Sequence, residues 1–251
     1  MNVLKTIYFG TMLTVLTIYH ALLVLLTSFA YKLLRKPYPT EIGHQMGINW
    51  GRRVMALTPG WHVEFTGKEN IPQTRSPFII VANHESTADI FAIFLLGTQF
   101  KWLAKYELFQ IPILGYAMKE NGYIPVKRGD RNGHKKALED CKVWIERGFS
   151  LLFFPEGTRS EDGSPKKFKS GAFKMAIETN TPILPVVLSG AGKLLRKGSI
   201  CPQSATLKIS VLPLVYHKEK ETIDELTERV QEIVVSEHAR LTGKTSLKNA
   251  V

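Results

Sequence analysis

The sequence predicts an α/β domain, with a mostly parallel or mixed central sheet flanked by helices, preceded by an N-terminal membrane-associated helical hairpin. Three observations predict it. Thr6 to Tyr31 contains no Asp, Glu, Lys or Arg, and about 20 apolar residues suffice to cross a bilayer core. From Trp61 onward, short apolar runs alternate with stretches of helical periodicity, the pattern of helices packed on a mainly parallel sheet. The 251 residues are ample to bury one core. The chain accordingly divides into a membrane-anchoring two-helix segment at 1–58, an α/β domain at 59–241 and a polar tail at 242–251.

In chain order, the first run is interrupted by Thr6, Thr11, Thr14, Thr17, His20, Thr27 and Ser28. A helix lying in one leaflet therefore competes with a span, and with a signal peptide ending near Ser28-Phe29-Ala30. Lys32, Arg35 and Lys36 follow at once, with Arg52 and Arg53 further on. Cationic flanks stay on the cytoplasmic side, so the rest of the chain is expected on the cytoplasmic face of a cell inner or plasma membrane. A second helix is predicted between Pro39 and Pro59, with Thr40 as N-cap and Ile42, Met46, Trp50, Val54 and Leu57 at helical spacing. It either packs on the domain or completes a hairpin with the first. Strands are predicted at 62–65, 78–81, 100–103, 122–126, 150–154, 183–188 and 206–212, and helices at 86–96, 113–120, 133–147, 170–179 and 223–240.

Composition narrows the function classes. Hydrophobic residues at 44% and charged residues at 22% exclude disorder and a polytopic membrane protein. Lys plus Arg number 33 against 22 Asp plus Glu, a net charge of +11, which suits an anionic membrane surface, an acidic protein or a polyanion. The cations are scattered and no nucleic-acid module is recognised, so no nucleic-acid partner is expected. Cys141 and Cys201 have no paired spacing and build neither a disulfide scaffold nor a cysteine zinc site.

The densest chemistry is Asn83-His84-Glu85-Ser86-Thr87-Ala88-Asp89, at the end of a predicted strand. His84 and Asp89 meet only if a helix begins between them. Ser86-x-x-Asp89 has capping-box spacing, with Ser86 as N-cap and Asp89 leaning back toward the imidazole. The carboxylate would then hold one ring nitrogen and leave the other as a base. A zinc reading of His84-Glu85 fails because residue 88 is Ala, and no Gly-x-Ser-x-Gly elbow occurs. A second signal is Phe153-Phe154-Pro155-Glu156-Gly157-Thr158-Arg159-Ser160, a forced turn that presents a guanidinium fork suited to phosphate. The third is Gly122 to Arg128, a strand running into two cations, and the fourth is Thr181 to Val187.

In order and spacing these four blocks resemble the motifs of the glycerophospholipid acyltransferases, and most closely those of the lysophosphatidate (1-acylglycerol-3-phosphate) acyltransferases. Asn83 to Asp89 resembles the family's Asn-His-x-Ser-x-x-x-Asp block, Gly122 to Arg128 its Gly-x-Ile-x-x-x-Arg block, and Phe154 to Ser160 its Phe-Pro-Glu-Gly-Thr-Arg-Ser block. Thr181 to Val187 is similar to the proline-rich fourth block, and Lys105 to Gly115 is also family-like. Glu85 stands where Gln is frequent, and Pro125 where an aromatic is frequent. The resemblance covers residues 60–190. It implies direct acyl transfer from acyl-CoA or acyl carrier protein to the free hydroxyl of lysophosphatidate, with no metal and no cofactor. Acylation of glycerol 3-phosphate or another lysophospholipid is the alternative. On this resemblance His84 is the base and Asp89 its orienting partner, and Arg159, Arg128 and Lys105 bind the acceptor phosphate. Glu156, Gly157 and Thr158 shape that pocket, while Pro182, Ile183, Pro185 and Val186 line the donor site. Glu85 is expected to raise the basicity of His84. Membrane lipids complete the expected partners.

Overall fold

Runs such as Ile79-Ile80-Val81 and Leu151-Leu152-Phe153 have no polar alternation, so as strands they must be covered on both faces. In the computed structural model, which describes residues 2–74, 76–127, 129–196 and 198–243, they are the central strands of one sheet. The strands are β1 (Trp61–Thr66), β2 (Ile79–Ala82), β3 (Phe100–Lys105), β4 (Ile124–Val126), β5 (Ser150–Phe153), β6 (Ile183–Ser189) and β7 (Ala205–Val211). Their order is β1-β7-β6-β2-β5-β3-β4. Every neighbouring pair is parallel except β6 and β7. Strands β2 to β6 therefore all end at one edge, and reactive groups gather at that edge.

Each face of the sheet has its own core. Ile80, Ala82 and Leu184 pack with Ile48, Val54, Phe91 and Phe94, under helices α2 (Thr40–Leu57) and α3 (Ala88–Phe94). Ile79, Val81 and Ile183 pack with Cys141, Phe173, Val230 and Val234, under α5 (Arg131–Glu146), α6 (Gly171–Glu178) and α8 (Ile223–Thr242). The short helices α4 (Leu114–Glu120) and α7 (Ala191–Leu194) complete the set. Helix α2 lies close because Gly47 and Gly51 face α3: a Cβ at Gly51 would stand 2.6 Å from Phe94 Cβ. Those glycines cost helix stability, and the gain is burial of Trp50 against Phe91 and Phe94.

Helix α1 (Asn2–Leu33) runs antiparallel to α2. Tyr8 Oη donates to Leu57 O at 2.9 Å, Trp50 Nε1 to Thr17 Oγ1 at 3.1 Å, and Arg53 Nη1 lies 3.2 Å from His20 Nε2. Further along, the carboxylate of Glu120 accepts from Ser28 and Lys32. Phe9 is fully buried on Trp61. The opposite side of α1, including Leu4, Val15, Leu22, Leu26, Phe29 and Leu33, is exposed and apolar. By length and composition it is the one helix among the described residues fit to cross a membrane.

All seven predicted strands and the five predicted domain helices form. The expected cap of α3 forms at Ser86: regular helix starts at Ala88, Thr87 before it already has helical angles (φ −63°, ψ −25°), and Ser86 Oγ accepts the Ala88 N–H at 3.2 Å. At the other end α8 takes in Thr242 and closes on Gly243 in the left-handed region, φ 67°. The rest of the expected polar tail, 244–251, lies outside the described residues.

Candidate active site

Beyond Ala82 the chain leaves the sheet at its carboxyl edge. Asn83 prolongs the strand pairing with its side chain, exchanging two 2.8 Å hydrogen bonds with the backbone of Leu188. This fixes where His84 emerges. Its Nδ1 lies 2.7 Å from Asp89 Oδ2. The same oxygen accepts the backbone N–H groups of Glu85 and Ser86 at 2.7 Å each, so it is an acceptor and the imidazole donates from Nδ1. The lone pair is therefore on Nε2, which has no hydrogen-bond partner among the described residues. The His84 side chain is 13% exposed while that of Asp89 is sealed, so a reactant can meet the imidazole and not the carboxylate. Burial pushes the Asp89 carboxyl up, and its hydrogen bond with His84 opposes that shift.

The turn after β5 clamps His84 from the other side. Gly157, at φ 70°, closes the turn through its N–H to Phe154 O at 3.0 Å. Glu156 Oε1 accepts the His84 backbone N–H at 2.9 Å, and Ser160 N–H donates to His84 O at 2.7 Å. The Phe154 ring stacks on the imidazole, with centroids 4.3 Å apart. Peptide groups and ring face are thus held by one loop, and Nε2 is left to react. Burial pushes the Glu156 carboxyl up to about 7 against the pull of the His84 N–H, and its Oε2 has no partner among the described residues.

Arg159 reaches back across the site, where its Nη1 donates to Thr87 Oγ1 at 2.8 Å at the start of α3. Its Nη2 has no hydrogen-bond partner among the described residues. Thr158 is exposed beside it. Lys105 ends β3 on the same sheet edge, half-exposed and 3.4 Å from Glu107. Arg128 lies outside the described residues.

Two expectations are corrected. Ile183, Pro185 and Val186 do not offer a donor-lining surface, because they are buried in β6, while Pro182 is half-buried just before it. Pro182 and Ile183 sit beside Ile79, at the end of the sheet away from His84. Glu85 does not face the imidazole. Its Oε2 accepts from Gly190 N and Gly192 N at 3.0 and 3.1 Å, and its Oε1 meets His238 Nε2 at 3.2 Å. Two roles and one residue go beyond the sequence reading: Phe154 as the stacking partner, Glu156, expected only to shape the pocket, as holder of the His84 peptide, and His238. The first two lie inside a motif the sequence displays, whereas His238 gives no local signal.

Cys141 is sealed in the core and burial pushes its thiol up, which suits packing and not nucleophilic attack.

Comparison with known proteins gives a consistent picture. Residues 62–189 match the family model described as Acyltransferase. The chain is 35% identical over 178 residues to the chloroplastic 1-acyl-sn-glycerol-3-phosphate acyltransferase BAT2 of Brassica napus, covering 71% of this chain and 51% of that one. It is 30% identical over 221 residues to the 1-acyl-sn-glycerol-3-phosphate acyltransferase of Limnanthes alba, covering 84% and 76%. The chain spans about half the length of the first curated relatives it matches. Among solved structures, the crystal structure of the 1-acyl-sn-glycerophosphate (LPA) acyltransferase PlsC from Thermotoga maritima superposes with TM-score 0.80 at 29% identity, covering 98% of both chains.

Proposed function

The chain belongs to the acyltransferase family, and on that premise we propose that it moves a fatty acyl group from an acyl thioester to the free hydroxyl of lysophosphatidate, yielding phosphatidate for phospholipid synthesis. The donor is acyl-CoA or acyl carrier protein. One observation carries the reading: the 2.7 Å contact of His84 Nδ1 with a carboxylate oxygen already engaged by two backbone donors. It fixes the tautomer and leaves Nε2 as a proton acceptor.

The steps follow from that atom. Nε2 takes the proton of the acceptor hydroxyl as its oxygen bonds to the thioester carbonyl carbon. The imidazolium so formed lies against Asp89. When the C–S bond breaks, the leaving thiolate recovers the proton from Nε2. General-base help of this kind supplies about 10² to 10⁴ in rate. Arg159 and Lys105, with Arg128, hold the acceptor phosphate, so that binding energy becomes positioning. Glu156 and Gly157 shape the loop that holds both His84 and Arg159.

The lipid acceptor is met at the bilayer. One side of α1 is apolar and exposed, and the other is bonded to the domain from Tyr8 to Lys32. A perpendicular span would draw Arg53 and Glu120 into hydrocarbon, at about 2.5 to 3.5 kcal/mol for each charge. An α1 lying within one leaflet avoids this, with Lys32, Arg35 and Lys36 against anionic headgroups on the cytoplasmic face of the cell inner or plasma membrane. The test is direct: purified protein is offered lysophosphatidate, glycerol 3-phosphate and other lysophospholipids with each acyl carrier, and products are resolved by mass. Phosphatidate as the main product supports the reading. Acylation of another acceptor alone overturns it.

A further inference from the structure

We propose that His238, on the C-terminal helix α8, is a positioning residue that straps the His84 loop in place through Glu85. The inference rests on the acyl-transfer reading for its kinetic arm only. Glu85 adjoins the base in sequence, yet it is 5% exposed and His238 is 6% exposed, so both groups are withdrawn from water. A buried carboxylate needs donors on both oxygens. Oε2 has the N–H groups of Gly190 and Gly192, and Oε1 has Nε2–H of His238, 153 residues away along the chain.

The rest of the loop explains why this contact matters for reaction geometry. Asn83 is tied to Leu188, and the Ser86 hydroxyl donates to Leu195 O. Asp89 gathers the N–H groups of Glu85 and Ser86 on the inner side. Glu85 is thus held inside by its backbone and outside by its side chain, and His84 hangs between these anchors and the Glu156 turn. Gly190 can only be glycine here: it has φ 95°, and a Cβ would stand 2.4 Å from Thr206 O. That bend brings its N–H to the carboxylate. The matched family region ends at residue 189, so all three donors to the Glu85 carboxylate, two backbone N–H groups and one imidazole, come from beyond it.

Without His238, the outer oxygen of Glu85 loses its donor and the loop shifts to recover one. A misplacement of about 1 Å at the reacting group costs up to about 10² in rate. The experiment compares His238→Leu, His238→Gln and Val234→Ala with the unaltered protein. Val234 is buried on the same helix, in the core with Ile79, Val81 and Ile183. Two quantities are read well below each melting temperature: kcat and KM for both substrates, and backbone hydrogen exchange of the peptide spanning 83–89. His238→Leu should lose about 10- to 10²-fold in kcat with KM nearly unchanged. Its 83–89 amides should exchange faster while the strands keep their protection. His238→Gln, which retains an N–H donor, should recover most of the rate. Val234→Ala should lower the melting temperature and leave kcat and the 83–89 exchange alone. Parental kcat and exchange in His238→Leu, or equal losses in Val234→Ala, would overturn the proposal. If the unaltered protein acylates no lysophosphatidate, the functional reading fails, and the exchange comparison decides this inference by itself.

Discussion

Replacing Glu156 by Gln separates the charge of this buried carboxyl from the hydrogen bond it accepts from the His84 N–H. Burial lifts the carboxyl from 4.5 to about 7 in the folded protein. Between those values the native state keeps a proton that the unfolded chain has released. The stability tied to that proton is full below about pH 4.5 and is lost as the pH rises through 7, because the native state then carries an ionised carboxylate out of water. Each pH unit separating the two values is worth about 1.36 kcal/mol, so the loss amounts to about 3 kcal/mol. Gln has no proton to lose, and its amide oxygen can still accept the His84 N–H. Denaturant unfolding of parent and variant at pH 5 and pH 8 measures the difference. The variant should gain about 2.5 kcal/mol on the parent between the two pH values, since a part of the loss already falls below pH 5. A stability difference that stays constant with pH would refute the argument that burial governs this carboxyl.

Further outcomes follow from the same geometry. Arg159→Lys keeps the charge but loses the planar fork, so it should lower kcat/KM for lysophosphatidate by at least about tenfold more than for a monoacylglycerol analogue; equal losses on both would assign Arg159 to folding. The double variant Cys141→Ala, Cys201→Ala should retain turnover with intersecting lines in two-substrate kinetics, and a protein-bound acyl group seen by mass would contradict direct transfer. Leu22→Ser, Leu26→Ser and Phe29→Ser together strip apolar area from the exposed side of α1, where these residues are 41%, 64% and 66% exposed. At about 1.5 to 3 kcal/mol for each large side chain buried, binding to anionic vesicles should weaken by at least about 10²-fold with the melting temperature kept. Unchanged vesicle binding would remove α1 from the membrane contact.

Sequence and structure agree where a signal is local. The strands are legible because Ile79-Ile80-Val81 and its counterparts are short, apolar and free of polar alternation. The His84–Asp89 pair is legible because the residues between them break helical spacing. The start of α3 is legible for the same reason: Asp89 accepts the Ser86 N–H and the Ser86 hydroxyl oxygen accepts the Ala88 N–H, while the bond the hydroxyl donates, to Leu195 O 109 residues away, has no local signal. Glu85 misleads because its carboxylate partners, Gly190, Gly192 and His238 on α8, are all distant in sequence. The fourth block was read as a ligand surface because prolines flank it. From Ile183 onward its residues fill both faces of β6, and the neighbouring strands leave them no surface. Gly47 and Gly51 look unremarkable in a helical pattern until Phe94 is set against them.

The central claim is that Nε2 of His84, oriented by Asp89, takes the proton of the acceptor hydroxyl. Turnover of His84→Ala with lysophosphatidate and an acyl thioester, at saturating substrate and with folding verified by thermal unfolding, tests it most directly. The account predicts a loss of at least about 10² in kcat with little change in KM. A folded His84→Ala protein that keeps near-parental turnover would contradict it.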